Sequence, residues 1–297
     1  MQNIKILLQV FRFHHWIKNL LLFIPLITAH QFYNLDLILL LCVAFLSFSF
    51  CASSIYIFND ILDIEHDKDH PKKRTRPFAS NNISIKSGII LASVLLLISF
   101  GLSLVLNKLF VIFLVSYLIL SLAYSYFLKR IKYLDCIILV GFYILRIFSG
   151  GVAVNIMPSF WLIIFSFFIF FSLAIVKRYS ELKLHYSDKK NIKVTGRAYS
   201  IKDVEKLYYF GITSGCISSV VLAFYLGSET VSRLYKTPFF IWFAVPLLLI
   251  WILLVWKKSK NREIDDDPIV FAIKDKISIS IAFLFFLCFL LAKLIEL

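Results

Sequence analysis

Nine long apolar runs constrain this 297-residue chain more than any other feature. They lie near 17–31, 36–58, 85–106, 109–127, 134–153, 159–176, 206–227, 238–256 and 277–295, and the first is the shortest. A helix needs about 20 apolar residues to cross a hydrocarbon core, and each run is close to that length. A barrel strand would be shorter and would alternate apolar with polar residues, which these runs do not. With 60% hydrophobic residues, the expectation is an all-α polytopic membrane protein forming one membrane domain over 1–297.

Charge then sets the topology. Of 32 Lys and Arg, 27 fall at or before Lys18 or in the segments 59–86, 128–133, 177–206 and 257–276. The excess marks those segments as cytoplasmic. The N-terminus is therefore expected in the cytoplasm and, with nine crossings, the C-terminus outside a cell inner (plasma) membrane. A net charge of +14 could suggest nucleic acid. The basic residues sit instead in short loops between apolar spans, where they attract anionic lipid and phosphate, so no nucleic-acid partner is expected. Cys42, Cys51, Cys136, Cys216 and Cys288 are scattered in or beside apolar runs without metal-ligand spacing, and read as small core residues. No cleavable leader is evident, so the first run is expected to start membrane insertion itself.

The second run leads into N-D-I-L-D-I-E-H-D-K-D-H-P-K-K-R-T-R-P, residues 59–77, which holds five of the chain's 18 acids. Asn59, Asp63 and Asp67 recur every four residues and would share one helix face. Such a row suits oxygen ligation of Mg²⁺, which keeps waters and shares its remaining positions with substrate phosphates. Lys73, Arg74 and Arg76 suit the same phosphates directly, arginine in bidentate geometry. A solvated loop would sit in a polar linker, whereas these acids continue an apolar segment, where they are costly unless they face a polar cavity or partners.

A second polar stretch, V-K-R-Y-S-E-L-K-L-H, follows the sixth run. Lys177, Glu181 and His185 fall on one helical face with Arg178 beside Glu181. It is either a juxtamembrane ion-pair helix or the facing wall of a diphosphate site. Arg146, inside the fifth run, should face a cavity or an acid. The basic segment 186–205, with Arg197 and Tyr199, has the length of a lid or substrate-binding loop. Arg197 could contact phosphate or the inner leaflet. Residues 257–276 hold a third acid–base cluster, Asp265–Asp267 followed by Pro268, Lys274 and Asp275. It is either a solvated loop or a second cation site. No nucleotide-binding glycine loop, zinc-protease helix or serine-hydrolase elbow occurs.

The pattern N-D-x-x-D-x-x-x-D at Asn59–Asp67 resembles the first acidic motif of the UbiA superfamily of membrane prenyltransferases. Its continuation through His70, Pro71, Lys73, Arg74, Arg76 and Pro77 is similar to the decaprenyl-phosphate phosphoribosyltransferase branch. Trp16, Lys18 and Asn19 resemble that branch's opening R-P-x-Q-W-x-K-N, from which Phe13 and His15 depart. The segment L-R-x-x-x-G-G around Arg146 and the piece around Arg197 and Tyr199 are also similar. So are K-R-x-x-E at Lys177–Glu181, where quinone-forming members carry D-x-x-x-D, and Asp267–Lys276.

The resemblance implies a UbiA-type nine-helix bundle with a central cavity open to the cytoplasm and sideways to lipid. The implied reaction is Mg²⁺-dependent transfer of phosphoribose from 5-phosphoribosyl 1-diphosphate, a phosphosugar diphosphate, to a polyprenyl phosphate lipid. Asn59, Asp60, Asp63 and Asp67 would hold Mg²⁺ against the diphosphate, and Lys73, Arg74 and Arg76 the donor phosphates. Lys177 and Arg178 would meet the departing diphosphate, and Glu181 the ribose hydroxyls or a metal. Lys18 and Arg146 would orient the lipid phosphate. Arg197, Tyr199 and Lys274 are further substrate-binding candidates. The alternative is a prenyltransferase moving a polyprenyl group from its diphosphate to an aromatic or other small acceptor. A transporter would place its polar residues near the midplane instead of in clusters at the ends of the spans.

Overall fold

The computed structural model describes residues 2–69, 73–187, 198–264 and 267–295, and among them helix is the only regular structure. In chain order the α-helices are α1 (Gln2–Phe11), α2 (Ile24–Thr28), α3 (Leu35–Leu62), α4 (Ile64–Lys68), α5 (Ile85–Ser103), α6 (Lys108–Tyr126) and α7 (Leu134–Ala153). They continue as α8 (Phe160–Ser187), α9 (Val204–Leu226), α10 (Glu229–Leu234), α11 (Ala244–Lys260), α12 (Pro268–Lys274) and α13 (Lys276–Leu294). Eight helical segments among the described residues are long and apolar enough to cross a membrane. Large apolar side chains on them point outward, Leu97 at 73% exposed and Phe283 at 66%, as expected where the surrounding solvent is lipid.

The first expected span is not among those eight. Residues 17–31 fall on a 3₁₀ stretch, Phe13–Phe23, that runs into the five-residue α2, with Pro25 in its first turn.

Helix starts are written locally. Asn34 Oδ1 accepts from the backbone of Asp36 and Leu37, Ser84 Oγ from Ser87, and Asn107 Oδ1 from Phe110, capping α3, α5 and α6. The chain sorts into two compact units, Met1–Leu128 with Leu145–Pro158, and Lys129–Ile144 with Ser159–Leu297.

In the first unit α3 packs on α5 through small polar residues. Ser47 Oγ donates to the Ser99 carbonyl at 2.9 Å, Ser99 Oγ returns the bond to Ser47 at 2.7 Å, and Ser54 Oγ donates to Ala92 at 2.8 Å. Apolar burial gains little between helices in lipid, so close small-residue packing and such bonds hold the pair. The 3₁₀ stretch is fastened to α3 by Trp16 Nε1 donating to Ser53 Oγ (2.9 Å) and Asn19 Nδ2 to Ser49 Oγ (2.9 Å). It also lies directly on Gly150 of α7, where an added Cβ would sit 1.9 Å from the Leu22 carbonyl oxygen. Gly150→Ala is therefore expected to lower stability by roughly 1–3 kcal/mol or more, since backbone must move. An unchanged thermal unfolding midpoint in detergent would refute this close approach.

In the second unit α8 pairs with α9, and Trp256 of α11 is wedged beside them, its Nε1 donating to Ser172 Oγ at 3.1 Å.

Candidate functional site

The acidic motif lies where α3 ends. Asp63 closes α3 and opens α4 with φ −94° and ψ 8°, a break the four-residue spacing does not reveal. The backbone ladder nevertheless passes through it: Asp63 N–H donates to the Asn59 carbonyl at 2.9 Å and Asp67 N–H to that of Asp63 at 2.8 Å. Asn59, Asp63 and Asp67 thus keep their one-turn spacing.

Asp60 and Asp67 are buried and joined by arginine. Arg76 Nη1 donates to Asp60 Oδ1 at 3.1 Å and to Asp67 Oδ2 at 2.6 Å, while Arg12 Nη2 bonds the same Asp60 Oδ1. Arg74 is exposed at the neighbouring 3₁₀ turn Lys73–Thr75, and the Lys73 side chain lies outside the described residues.

Among the described residues no three His, Cys, Asp or Glu form a ready metal cage. Mg²⁺ commonly takes one or two carboxylates and completes its shell with water and substrate phosphate, so no such cage is required. One atom fits a ligand role directly. Asn59 Oδ1 is buried without a hydrogen-bond partner among the described residues, a costly state for a carbonyl oxygen that a cation would relieve.

Lys18 is half-buried on the 3₁₀ stretch beside the buried Asn19. Asn19 Oδ1 accepts from Arg146 Nε at 2.7 Å, and Arg146 Nη2 donates to Tyr117 Oη at 2.9 Å. The Arg146 guanidinium stacks 4.7 Å from the Tyr117 ring centroid and 5.8 Å from that of Phe48. A buried guanidinium in α7 is thus accommodated by an amide, a phenol and aromatic faces.

In the second unit the cationic stretch continues α8 as helix to Ser187. Lys177 Nζ approaches Asp267 Oδ2 at 3.7 Å, and Asp267 caps α12 by accepting from Ile269 N–H at 3.0 Å. Arg178, expected at the diphosphate, is 1% exposed and turned inward. Its Nε bonds Asp135 Oδ2 at 2.5 Å and its Nη1 bonds Glu181 Oε2 at 2.8 Å, leaving Glu181 as the accessible carboxylate of the trio. Tyr199 is also drawn inward, its hydroxyl donating to Asp135 at 2.5 Å and accepting from Tyr133 N–H at 2.8 Å. Burial pushes the Tyr199 phenol far above its ordinary range, so it stays a donor.

Lys274 is exposed at the end of α12. Asp275 caps α13 through Ser278 N–H (2.9 Å) and accepts from Lys258 at 2.7 Å. Burial opposes its charge, but those bonds outweigh it and hold the carboxyl below its ordinary range. Arg197, Asp265 and the neighbouring Asp266 lie outside the described residues.

Sequence reasoning assigned no role to Arg12, Asn19, Tyr117 or Asp135, and read Asp267 only as part of a solvated loop or second cation site. For Asp135 a signal existed: an acid in the first turn of an apolar run demands a partner.

Residues 20–290 match the UbiA prenyltransferase family. The chain is 36% identical to the uncharacterized protein y4nM of Sinorhizobium fredii over 91% of its own length, and spans only about half (52%) of that protein. It is 32% identical to the nodulation protein NoeC of Azorhizobium caulinodans, covering 88% of this chain and 85% of that one. With the decaprenyl-phosphate phosphoribosyltransferase of Mycolicibacterium smegmatis it shares 29% identity over 91% of this chain and 87% of the relative. Two solved structures share the fold. A digeranylgeranylglyceryl phosphate synthase superposes with TM-score 0.66 at 20% identity, covering 98% of this chain and 99% of that one. A UbiA homolog from Archaeoglobus fulgidus bound to DMAPP and Mg²⁺ superposes with TM-score 0.67 at 16% identity, covering 95% and 98%. With nearly its whole length matched, and eight long apolar helices, the chain is a multi-pass membrane protein that belongs to the UbiA prenyltransferase family.

Proposed function

We propose that this protein transfers phosphoribose from 5-phosphoribosyl 1-diphosphate to a polyprenyl phosphate and releases diphosphate. The observation that carries the reading is the end of α8, where Glu181 is the single acid and Lys177 stays accessible at 28%, while Arg178 is taken up by Asp135 and Glu181. A donor phosphorylated at both ends and an acceptor that is itself a phosphate ask for more cation than a prenyl diphosphate and an aromatic acceptor do. A second aspartate pair would serve the latter chemistry. The name carried by the 29% identical mycobacterial relative supports the same branch.

Asn59, Asp63 and Asp67 are the residues that would hold Mg²⁺, which when bound neutralises the diphosphate leaving group. Arg76 and Arg74, with Lys73, bind donor phosphate. For the second unit the reading assigns Lys177 to diphosphate and Glu181 to the ribose hydroxyls. Arg178 positions Glu181. The bond from the anomeric carbon to the diphosphate oxygen breaks, and an acceptor phosphate oxygen, already anionic, forms the new one. No general base is needed. Lys18 orients the lipid phosphate. The basic segments support a cytoplasmic face of the inner membrane for this chemistry. With the Phe13–Phe23 and α2 segment as first crossing, the N-terminus is cytoplasmic and the C-terminus outside.

The test is incubation of detergent-purified protein with Mg²⁺, 5-phosphoribosyl 1-diphosphate and a short polyprenyl phosphate, with mass spectrometry of the lipid. A lipid-linked phosphoribose that disappears with EDTA is expected. Consumption of a prenyl diphosphate with an aromatic acceptor, and no such product, would replace this reading with prenyl transfer.

A further inference from the structure

The geometry points to Arg12 and Arg76 as a paired-arginine site for a phosphate monoester, with Asp60 as the positioning residue that holds the two guanidiniums together. Both arginines bond one oxygen, Asp60 Oδ1. Two like charges gathered on one atom repel, and the arrangement persists only because Asp60 and Asp67, both buried, lie beneath them. A guanidinium has five N–H donors. Arg76 makes both of its carboxylate bonds through Nη1, and Arg12 makes its bond through Nη2, so each keeps donors for another ligand. Asp60 is sealed, at 5% side-chain exposure, while Arg12 and Arg76 remain accessible at 15% and 28%. The open side of the cluster is therefore cationic.

Arg12 is also held deliberately. It adopts a left-handed backbone, φ 51° and ψ 48°, between α1 and the 3₁₀ stretch, a conformation that a non-glycine residue rarely keeps without compensation. Its guanidinium is packed 5.0 Å from the Tyr56 ring centroid. A strained turn, an aromatic face and a buried carboxylate fix one side chain from three directions. Planar donors presented in this way suit the tetrahedral oxygens of a phosphate dianion, and the dianion would in turn relieve the repulsion between the two arginines. Asp60 thereby leaves the metal-binding and catalytic set to which its place in the motif assigns it.

This inference rests on the reading that a phosphorylated substrate is bound, and two such groups exist, the 5-phosphate of the donor and the phosphate of the acceptor. The probes are ribose 5-phosphate and a short polyprenyl phosphate, each added to the full-length protein in detergent while thermal unfolding is followed. One of them is expected to raise the midpoint of the natural protein, and Arg12→Gln to abolish that rise. In turnover, Arg12→Gln should raise KM for the corresponding substrate about tenfold or more while kcat changes little, and Arg12→Lys should recover part of the loss. Asp60→Asn should raise the same KM, with Asp60→Glu closer to the natural protein; a merely structural Asp60 would lower the midpoint and leave KM alone. The thermal arm needs no turnover, so a rise abolished by Arg12→Gln supports the site even if phosphoribosyl transfer is not found. A rise that Arg12→Gln leaves intact, or no rise with either probe, overturns it.

Discussion

Alanine in place of Asp63 is expected to reduce turnover by about 10³-fold or more, while the protein still folds and inserts. The magnitude follows from the role: a cation opposing the leaving diphosphate contributes several kcal/mol to the barrier, and each ~1.4 kcal/mol is a factor of ten. That the variant folds follows from the local structure. The bonds that carry the chain through the break between α3 and α4 are those of the Asp63 backbone, to Asn59 and from Asp67. Those survive the substitution. Two measurements separate the explanations. The unfolding midpoint without metal should stay near that of the natural protein, while stabilisation by Mg²⁺ with inorganic diphosphate should be lost. Near-normal turnover would remove Asp63 from the metal set. A collapsed midpoint would instead make it a structural residue. Asp67→Ala is a less clean experiment, because that carboxylate also carries the 2.6 Å bond from Arg76.

Hydropathy and charge made most of the helical frame legible. The run at 134–153 is α7, with the same ends, and the run at 36–58 lies inside α3, which continues to Leu62 and so carries the start of the acidic motif, Asn59 and Asp60, on its last turn. What hydropathy reports is apolarity, not helix type. The run at 17–31 reads as a crossing by its apolar residues, yet nothing in it distinguishes 3₁₀ from α, and Pro25 divides it. The four-residue row Asn59–Asp63–Asp67 was readable because it is local. The partners were not. Arg178 and Glu181 are three residues apart and visible on a helical wheel, but Asp135 lies 43 positions from Arg178 and 64 from Tyr199. Arg12 reaches Asp60 across 48 positions. Periodicity identifies which residues share a face and leaves open which distant face they meet. Hence Arg178 and Tyr199 read as substrate ligands although their polar atoms are directed inward.

Replacing Asp135 with alanine should destabilise the second unit by about 3–5 kcal/mol, the usual result of breaking a buried ion pair from one side. Asp135 is fully buried at the start of α7 and accepts 2.5 Å bonds from both Arg178 Nε and Tyr199 Oη, so its loss strips two donors at once in a place water does not reach. Tyr199→Phe removes only a hydroxyl and its bonds, and should cost less, about 1–3 kcal/mol. The pair is tested by a cycle. Arg178→Met alone leaves the Asp135 charge buried and should also destabilise. Combined with Asp135→Ala it should cost clearly less than the sum of the two single changes, because neither variant charge is then stranded. Unfolding in detergent reads all four proteins. Strict additivity would mean that the two residues act independently and that the close contact between them contributes nothing. Activity adds a second reading. If Arg178 acts by holding Glu181, then at temperatures where the variants remain folded Arg178→Met should lower kcat/KM while Glu181→Gln lowers it at least as far. If Arg178 instead touched the diphosphate, the two losses would be independent, and the double variant would multiply them.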